Sequence, residues 1–314
     1  VTAHKLAAID IGTNTVLLTV AVARDGELEP LEERATITRL GEGVSRTGEL
    51  SRDAIDRTLA CLEEYARVLG RHGVERTLVV GTSALRDANG GDEFLHRADH
   101  VLGTRPVVVS GTLEAALTFD GALSGLDLAG PLLVVDIGGG STEIVSGARE
   151  SGRSRASWSR SLDVGSVRLL ERHVRHDPPL AEELAAVHAD VRNLLAELPG
   201  PPAGALLVGV AGTVTTLAAL VRGANRHEPG LLHGAQLEGA EVRTWAARLA
   251  GLDIASRRQL PGLDRGREDV IPVGAALLVE LLDWAKAEQL TVSDRGVRWG
   301  LLSRLAAGIE PFRE

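Results

Sequence analysis

The chain has 314 residues, with 34 Lys and Arg against 43 Asp and Glu, and its formal net charge of −9 and aromatic content of 3% exclude a general nucleic-acid binder. Hydrophobic residues make up 44% and charged residues 25%, the balance of an ordinary folded protein with core enough for two domains. No apolar run reaches transmembrane length and the N-terminus lacks a basic-then-apolar signal, which predicts a cytoplasmic protein with no membrane partner; Cys61 is the only cysteine, so no intrachain disulfide or cysteine zinc site forms.

In chain order, Leu6 to Ile11 and Thr15 to Arg24 read as a strand pair around a glycine turn, followed by an Asp25-Gly26 turn and a strand-like run from Leu28 to Leu40. Ser51 reads as the cap of a helix with apolar positions at Ile55, Leu59, Leu62, Ala66 and Leu69, ending at Gly70 or Gly73. Leu78 to Val80 is a buried strand, Asp92 opens a helix, and Val107 to Val109 is a strand running into a helix from Thr112 to Leu123. Ser124 to Pro131 reads as a hinge. Beyond it, Leu132 to Val135 is a strand and Gly147 to Trp158 a polar hairpin tip. Helices are expected over Val164 to Val174, Leu180 to Leu198, Val214 to Val221, Glu238 to Leu260, Asp269 to Glu288 and Val297 to Ala307. Strands are expected at Leu206 to Thr213, ending at Gly212-Thr213, and at Thr291 to Ser293; strands alternating with helices in both halves predict an α/β architecture.

The most informative stretch is Asp136-Ile137-Gly138-Gly139-Gly140-Ser141-Thr142-Glu143. Three glycines end the preceding strand, and their N–H groups can approach an anion without a Cβ in the way. Ser141 and Thr142 add hydroxyls, while Asp136 and Glu143 add the hard oxygen donors that suit Mg²⁺ or another divalent cation. The pattern recurs at Asp10-Ile11-Gly12-Thr13-Asn14-Thr15, so the chain reads as a duplication, each half presenting a phosphate-binding turn. A third strand-to-helix turn, at Gly212 and Thr213, offers a helix N-terminus to phosphate.

These blocks resemble the exopolyphosphatase and guanosine pentaphosphatase (Ppx/GppA) family, together with Arg39 to Gly43, Gly81-Thr82-Ser83-Ala84-Leu85-Arg86-Asp87-Ala88, Ser110 to Ala115, Ser161 to Gly165 and Arg267 to Ile271. The resemblance implies two similar α/β domains of the actin, Hsp70 and sugar-kinase superfold, with ribonuclease H-like halves and a cleft between them. It places the domains at 1–125 and 126–296, with the last helix, 297–314, packed back on the first. It implies that Glu114 activates the attacking water and that Asp136, Glu143 and Asp10 hold Mg²⁺. Gly12, Thr13, Asn14, Thr15, Arg86, Gly138, Gly139, Gly140, Ser141, Gly212 and Thr213 would bind phosphate. The expected partner is inorganic polyphosphate or a guanosine polyphosphate, and a homodimer fits the same expectation.

The chain departs from the family at two places. The family usually has two glutamates where this chain has Leu113-Glu114, so a carboxylate is missing from the expected cleft mouth, with consequences for rate and metal affinity. It often has Arg-Glu-Gly where this chain has Arg298-Trp299-Gly300. Each site residue also has a purely structural role open to it. Glu114 in a first helical turn stabilises the helix dipole by about 0.3–1 kcal/mol, Arg86 can pair with Asp87, Asn14 suits a turn, and Asp10 and Asp136 can cap theirs. The leading expectation is release of orthophosphate from polyphosphate. The alternatives are removal of the 5′ γ-phosphate of guanosine pentaphosphate, an ATP-dependent kinase, and a non-catalytic sensor or assembly protein.

Overall fold

The computed structural model describes residues 4–24, 26–150, 153–224 and 230–312. The chain divides into two compact units, one of residues 1–124 with 296–314 and the other of residues 125–295. None of the described helices is long and apolar enough to cross a membrane.

The first unit contains β1 (His4–Ile11), β2 (Thr15–Arg24), β3 (Glu27–Ile37), α1 (Val44–Thr47), α2 (Arg52–His72), β4 (Arg76–Gly81), α3 (Ser83–Asp87), α4 (Gly91–Leu102), β5 (Val107–Val108) and α5 (Gly111–Ala122). Its sheet runs β3-β2-β1-β4-β5, with β1 antiparallel to β2 and parallel to β4. A strand turns alternate side chains to opposite faces, and β1 is buried on both. Ala7, Ile9 and Ile11 enter the apolar cluster that includes Leu62, Tyr65 and Phe94 of α2 and α4. Leu6 and Ala8 enter a second cluster with Leu113 and Leu117 of α5. Asp10 follows in the register of Leu6 and Ala8, so it lies on the α5 face of the sheet.

The second unit contains β6 (Gly130–Ile137), β7 (Thr142–Glu150), β8 (Arg153–Leu162), α6 (Ser166–His173), α7 (Ala181–Ala196), β9 (Leu206–Val210), α8 (Ala211–Arg222), β10 (Gln236–Glu238), α9 (Gly239–Ala250), α10 (Ile254–Arg257), α11 (Ile271–Ala285) and β11 (Gln289–Val292). Its sheet runs β10-β11-β9-β6-β7-β8. Read from β8, the order is a three-strand meander followed by two strands parallel to its first, as in the other unit, with β10 added at the edge. The duplication read from the two glycine turns is therefore a duplication of topology.

The chain returns to the first unit as α12 (Val297–Ala306). It lies against α5 at two glycines: a Cβ on Gly300 would stand 2.0 Å from the Leu117 carbonyl oxygen, and one on Gly121 2.0 Å from that of Gly296. Buried Arg298 Nη1 donates to the Leu18 carbonyl oxygen at 2.8 Å and to Thr19 Oγ1 at 2.7 Å, and Trp299 Nε1 donates to Glu33 Oε1 at 3.0 Å. Trp299 thus anchors α12 to β3, which gives that departure from the family pattern a structural role.

Several expected boundaries shift. The Ser51 cap forms, its Oγ accepting from the Ala54 N–H, and α2 ends at Gly73 in the left-handed region. The helix expected from Glu238 to Leu260 is interrupted after α9, because Asp253 caps a new short helix by accepting from the Ser256 N–H at 2.7 Å. The hairpin expected to open at Gly147 stays paired, Glu150 standing opposite Arg153, so β7 and β8 are longer than their polar sequence implies. Val109 lies beyond β5 and donates its N–H to the Gly81 carbonyl. Asp25 of the expected Asp25-Gly26 turn, and Ser151 and Gly152 at the hairpin tip, lie outside the described residues.

Candidate active site

The two glycine turns are the same local structure. Gly12 N–H donates to the Thr15 carbonyl at 3.1 Å, and Gly138 N–H donates to the Ser141 carbonyl at 3.1 Å. In both, a Cβ on the glycine would stand 3.0 Å from that acceptor oxygen. In both, the aspartate two residues earlier closes the strand and faces the residue seven positions on: Asp10 stands opposite Leu17, and Asp136 opposite Glu143. The halves differ at that partner, which is apolar in one and acidic in the other.

Directly opposed carboxylates destabilise a strand pair unless their charge is compensated. Glu143 is 1% exposed and its Oε1 accepts from Ser161 Oγ at 2.7 Å. The donor set of Asp136 and Glu143 therefore fits Mg²⁺, which takes one or two carboxylates and completes its shell with water and phosphate oxygens. Among the described residues no group of three or more His, Cys, Asp or Glu is gathered as a metal site. Asp10 belongs to the other unit and has an apolar cross-strand partner.

The triple-glycine loop is held by its carbonyls. The N-terminal N–H groups of α6 donate to it, Ser166 to Gly138 at 3.0 Å and Val167 and Arg168 to Gly139 at 2.8 and 3.1 Å. Arg168 Nε adds a bond of 2.7 Å to the Gly140 carbonyl. Gly165 packs face to face on the loop: a Cβ there would stand 2.6 Å from the Gly139 carbonyl carbon and 2.8 Å from Gly140 N. Pinning the carbonyls on one side leaves the loop's N–H edge turned from them, the polarity an anion needs. Ser141 is 3% exposed beside it.

In the first unit, Asn14 is 6% exposed and neither polar atom of its side-chain amide has a hydrogen-bond partner. Such an amide costs free energy until something bonds it. Its own carbonyl accepts from the N–H groups of Thr38 and Arg39, which wraps the segment after β3 around the turn. Thr13 Oγ1 donates to Ser83 Oγ at 3.4 Å, and the Thr13 methyl packs against Gly41. Thr15 opens β2 opposite Ile37.

Glu114 lies in the first turn of α5, whose cap is Ser110, and is 7% exposed. Arg86, in the last turn of α3, donates from Nη1 to Glu114 Oε2 at 2.9 Å and to the Val109 carbonyl at 3.1 Å. The pair joins residues 28 apart in sequence. Leu113, beside Glu114, is 5% exposed inside the apolar cluster with Leu6, Val80 and Leu301. Its side chain is core packing in the first unit.

The third turn differs from its expected form. α8 begins at Ala211, at φ 69°, and Gly212 lies under the Arg267 guanidinium, where a Cβ would stand 2.1 Å from its central carbon and from both terminal nitrogens. Burial pulls the Arg267 pKa down from its ordinary value, opposed by Asp264 at 3.7 Å. Thr213 is 3% exposed and packs on Gly274 of α11. Sequence reasoning assigned no role to Arg267, Arg168, Gly165 or Ser161. The only advance signal was that Ser161, Gly165 and Arg267 fall in blocks that match the family.

A model described as the Ppx/GppA phosphatase family matches residues 19–307. Exopolyphosphatase 2 of Mycobacterium tuberculosis is 38% identical over 320 aligned residues, covering 96% of this chain and 98% of its own length. A solved exopolyphosphatase-like protein superposes with a TM-score of 0.91 at 31% identity, over 96% of this chain and 98% of its own. The solved Ppx/GppA family member of Aquifex aeolicus gives a TM-score of 0.81 at 31% identity, over 98% of this chain and 99% of its own.

Proposed function

The chain belongs to the Ppx/GppA phosphatase family, and from that premise we propose that it is an exopolyphosphatase, releasing orthophosphate from the end of inorganic polyphosphate. The observation that carries the reading is the buried carboxylate of Glu114 against Arg86. A proton acceptor beside a phosphate-binding guanidinium is what phosphoanhydride hydrolysis needs and a sensor does not.

In this reading the oxygen of a water attacks the terminal phosphorus. The bridging P–O bond breaks, its electron pair leaves with the shortened chain, and the water proton passes to Glu114. Products are orthophosphate and a chain one residue shorter. In the second unit the N–H groups of Gly139 and Gly140 and the Ser141 hydroxyl bind phosphate oxygens, Gly138 closing the turn through its bond to the Ser141 carbonyl; in the first unit Asn14 and Arg86 bind phosphate, with Gly12 to Thr15 shaping the turn. The unpartnered amide of Asn14 supports this. Asp136 and Glu143 would hold a divalent cation, which when bound neutralises phosphate charge. Gly212 and Thr213 serve the fold of α8, and a phosphate at that turn would meet Arg267 rather than bare backbone.

The test is phosphate release from long polyphosphate, short polyphosphate, guanosine pentaphosphate and ATP, with Mg²⁺ and with chelator. The expected result is Mg²⁺-dependent release from polyphosphate, with ATP a poor substrate. Preferred hydrolysis of guanosine pentaphosphate would move the protein to the other activity of its family name. Transfer of the ATP γ-phosphate to an acceptor would make it a kinase, and binding without turnover a sensor. Equal release under chelation would remove the cation.

A further inference from the structure

Arg86 is drawn on by two partners in the proposed reaction, and the structure has it on one of them. Its Nη1 bonds Glu114 Oε2 at 2.9 Å and the Val109 carbonyl at 3.1 Å. A carboxylate engaged by a guanidinium is a poor proton acceptor, because protonation must break a charge-assisted bond. The same guanidinium presents a fork that suits phosphate oxygens. Nη1 has two N–H groups and both are spent, on Glu114 and on the Val109 carbonyl, so a phosphate that engages this nitrogen competes with the carboxylate for it.

The surroundings say which partner moves. Glu114 is fixed: its helix is capped by Ser110 Oγ, which accepts from the Leu113 N–H at 3.1 Å, and its own N–H donates to the Ser110 carbonyl at 2.9 Å. Leu113 and Ala115 on either side of it are buried. Arg86 stands at the end of the five-residue helix α3, and its side chain is 24% exposed against 9% for Glu114. An anion arriving from solvent meets the guanidinium first.

We propose that Arg86 is a substrate-displaced clamp on Glu114: at rest it occupies the carboxylate, and the terminal phosphate draws it away, freeing Glu114 to accept the water proton. The clamp rests on the reading of Glu114 as the base. It makes base strength conditional on phosphate being present, so Arg86 positions as well as binds.

The experiment measures orthophosphate affinity by calorimetry in wild type, Glu114→Asp, Glu114→Gln, Arg86→Gln and the two double variants. Glu114→Asp keeps the charge and shortens the side chain by one methylene, so it breaks the clamp without removing negative charge. With the guanidinium released, orthophosphate should bind about tenfold more tightly in both Glu114 variants, the scale of one charge-assisted bond. In the Arg86→Gln background the same substitutions should change affinity little, a coupling that additivity forbids. An unchanged affinity in Glu114→Asp, a gain confined to Glu114→Gln, or equal gains in both backgrounds overturns the clamp. A second measurement needs no folded variant: the Arg86 Nε–H resonance of the wild-type protein should shift on addition of orthophosphate, and a stationary resonance overturns the clamp as well. Polyphosphate hydrolysis by the wild type is run alongside. Hydrolysis with a flat affinity cycle sinks the clamp alone, whereas its absence sinks the exopolyphosphatase reading.

Discussion

Replacing Gly165 by alanine tests whether the triple-glycine loop must sit where α6 holds it. Gly165 has φ −154° and ψ 171°, extended backbone that alanine adopts without strain. The whole effect is therefore the added methyl group. That group would lie 2.6 Å from the carbonyl carbon and oxygen of Gly139 and 2.8 Å from Gly140 N, all of them backbone atoms. Ordinary contact needs 3.5 Å or more, so loop and helix must part by about 1 Å. They are tied by the bonds from Ser166, Val167 and Arg168, which lengthen or break when they part. Overpacking of this kind costs about 1–3 kcal/mol of stability. A displacement of about 1 Å in a group that positions substrate costs on the order of 10²-fold in rate. The expected outcome is a folded protein whose kcat/KM for polyphosphate falls about 10²-fold, with a lowered denaturation midpoint. Steady-state phosphate release and chemical denaturation on the same preparations check it. A Gly165→Ala protein with wild-type kcat/KM would refute the idea that the loop acts through its exact placement.

Gly300→Ala should destabilise the first unit by about 3 kcal/mol or more, since its methyl would stand 2.0 Å from the Leu117 carbonyl oxygen; an unchanged denaturation midpoint would contradict the α5–α12 contact. Ser161→Ala removes the 2.7 Å bond to Glu143 Oε1 and leaves that carboxylate less well held, so the Mg²⁺ concentration for half-maximal activity should rise several-fold. An identical Mg²⁺ titration would count against Glu143 as a ligand. Glu183 titrates at about 2 against an ordinary 4.5: burial opposes its ionisation, but His176 and the N–H groups of Leu180 and Arg175 outweigh it. A depressed carboxylate contributes stability that is fully present above about pH 4.5 and lost as pH falls toward 2. The stability difference between wild type and Glu183→Gln should thus shrink as pH falls across that window. A difference that does not change between pH 5 and pH 2.5 would refute the linkage.

The sequence by itself determined the α/β class, the two glycine turns and their duplication. These are local properties: an apolar run, an aspartate and a glycine within a few residues fix a strand end and a turn whatever lies beyond. It also placed Asp136 and Glu143 within one hairpin, so their opposition follows from counting along two strands. The same count puts Leu17 opposite Asp10, and the asymmetry between the halves could have been read in advance.

Only the tertiary structure decided the rest. Arg86 meets Glu114, Gly165 packs on Gly139, Arg267 lies over Gly212 and Gly300 touches Leu117 because of how helices cross and loops return. Leu113 and Glu114 are neighbours in sequence, yet one is core and the other lies against a guanidinium, since adjacent helical residues point about 100° apart and only packing says what each direction meets. Helix ends at Gly251 and strand pairing through Glu150 went the same way, set by a cap and by a partner strand rather than by hydrophobic period. Local pattern fixes the identity of an element and the face it presents. The energy that selects its partner comes from burial and close packing, which depend on residues too distant in sequence for any periodicity to connect.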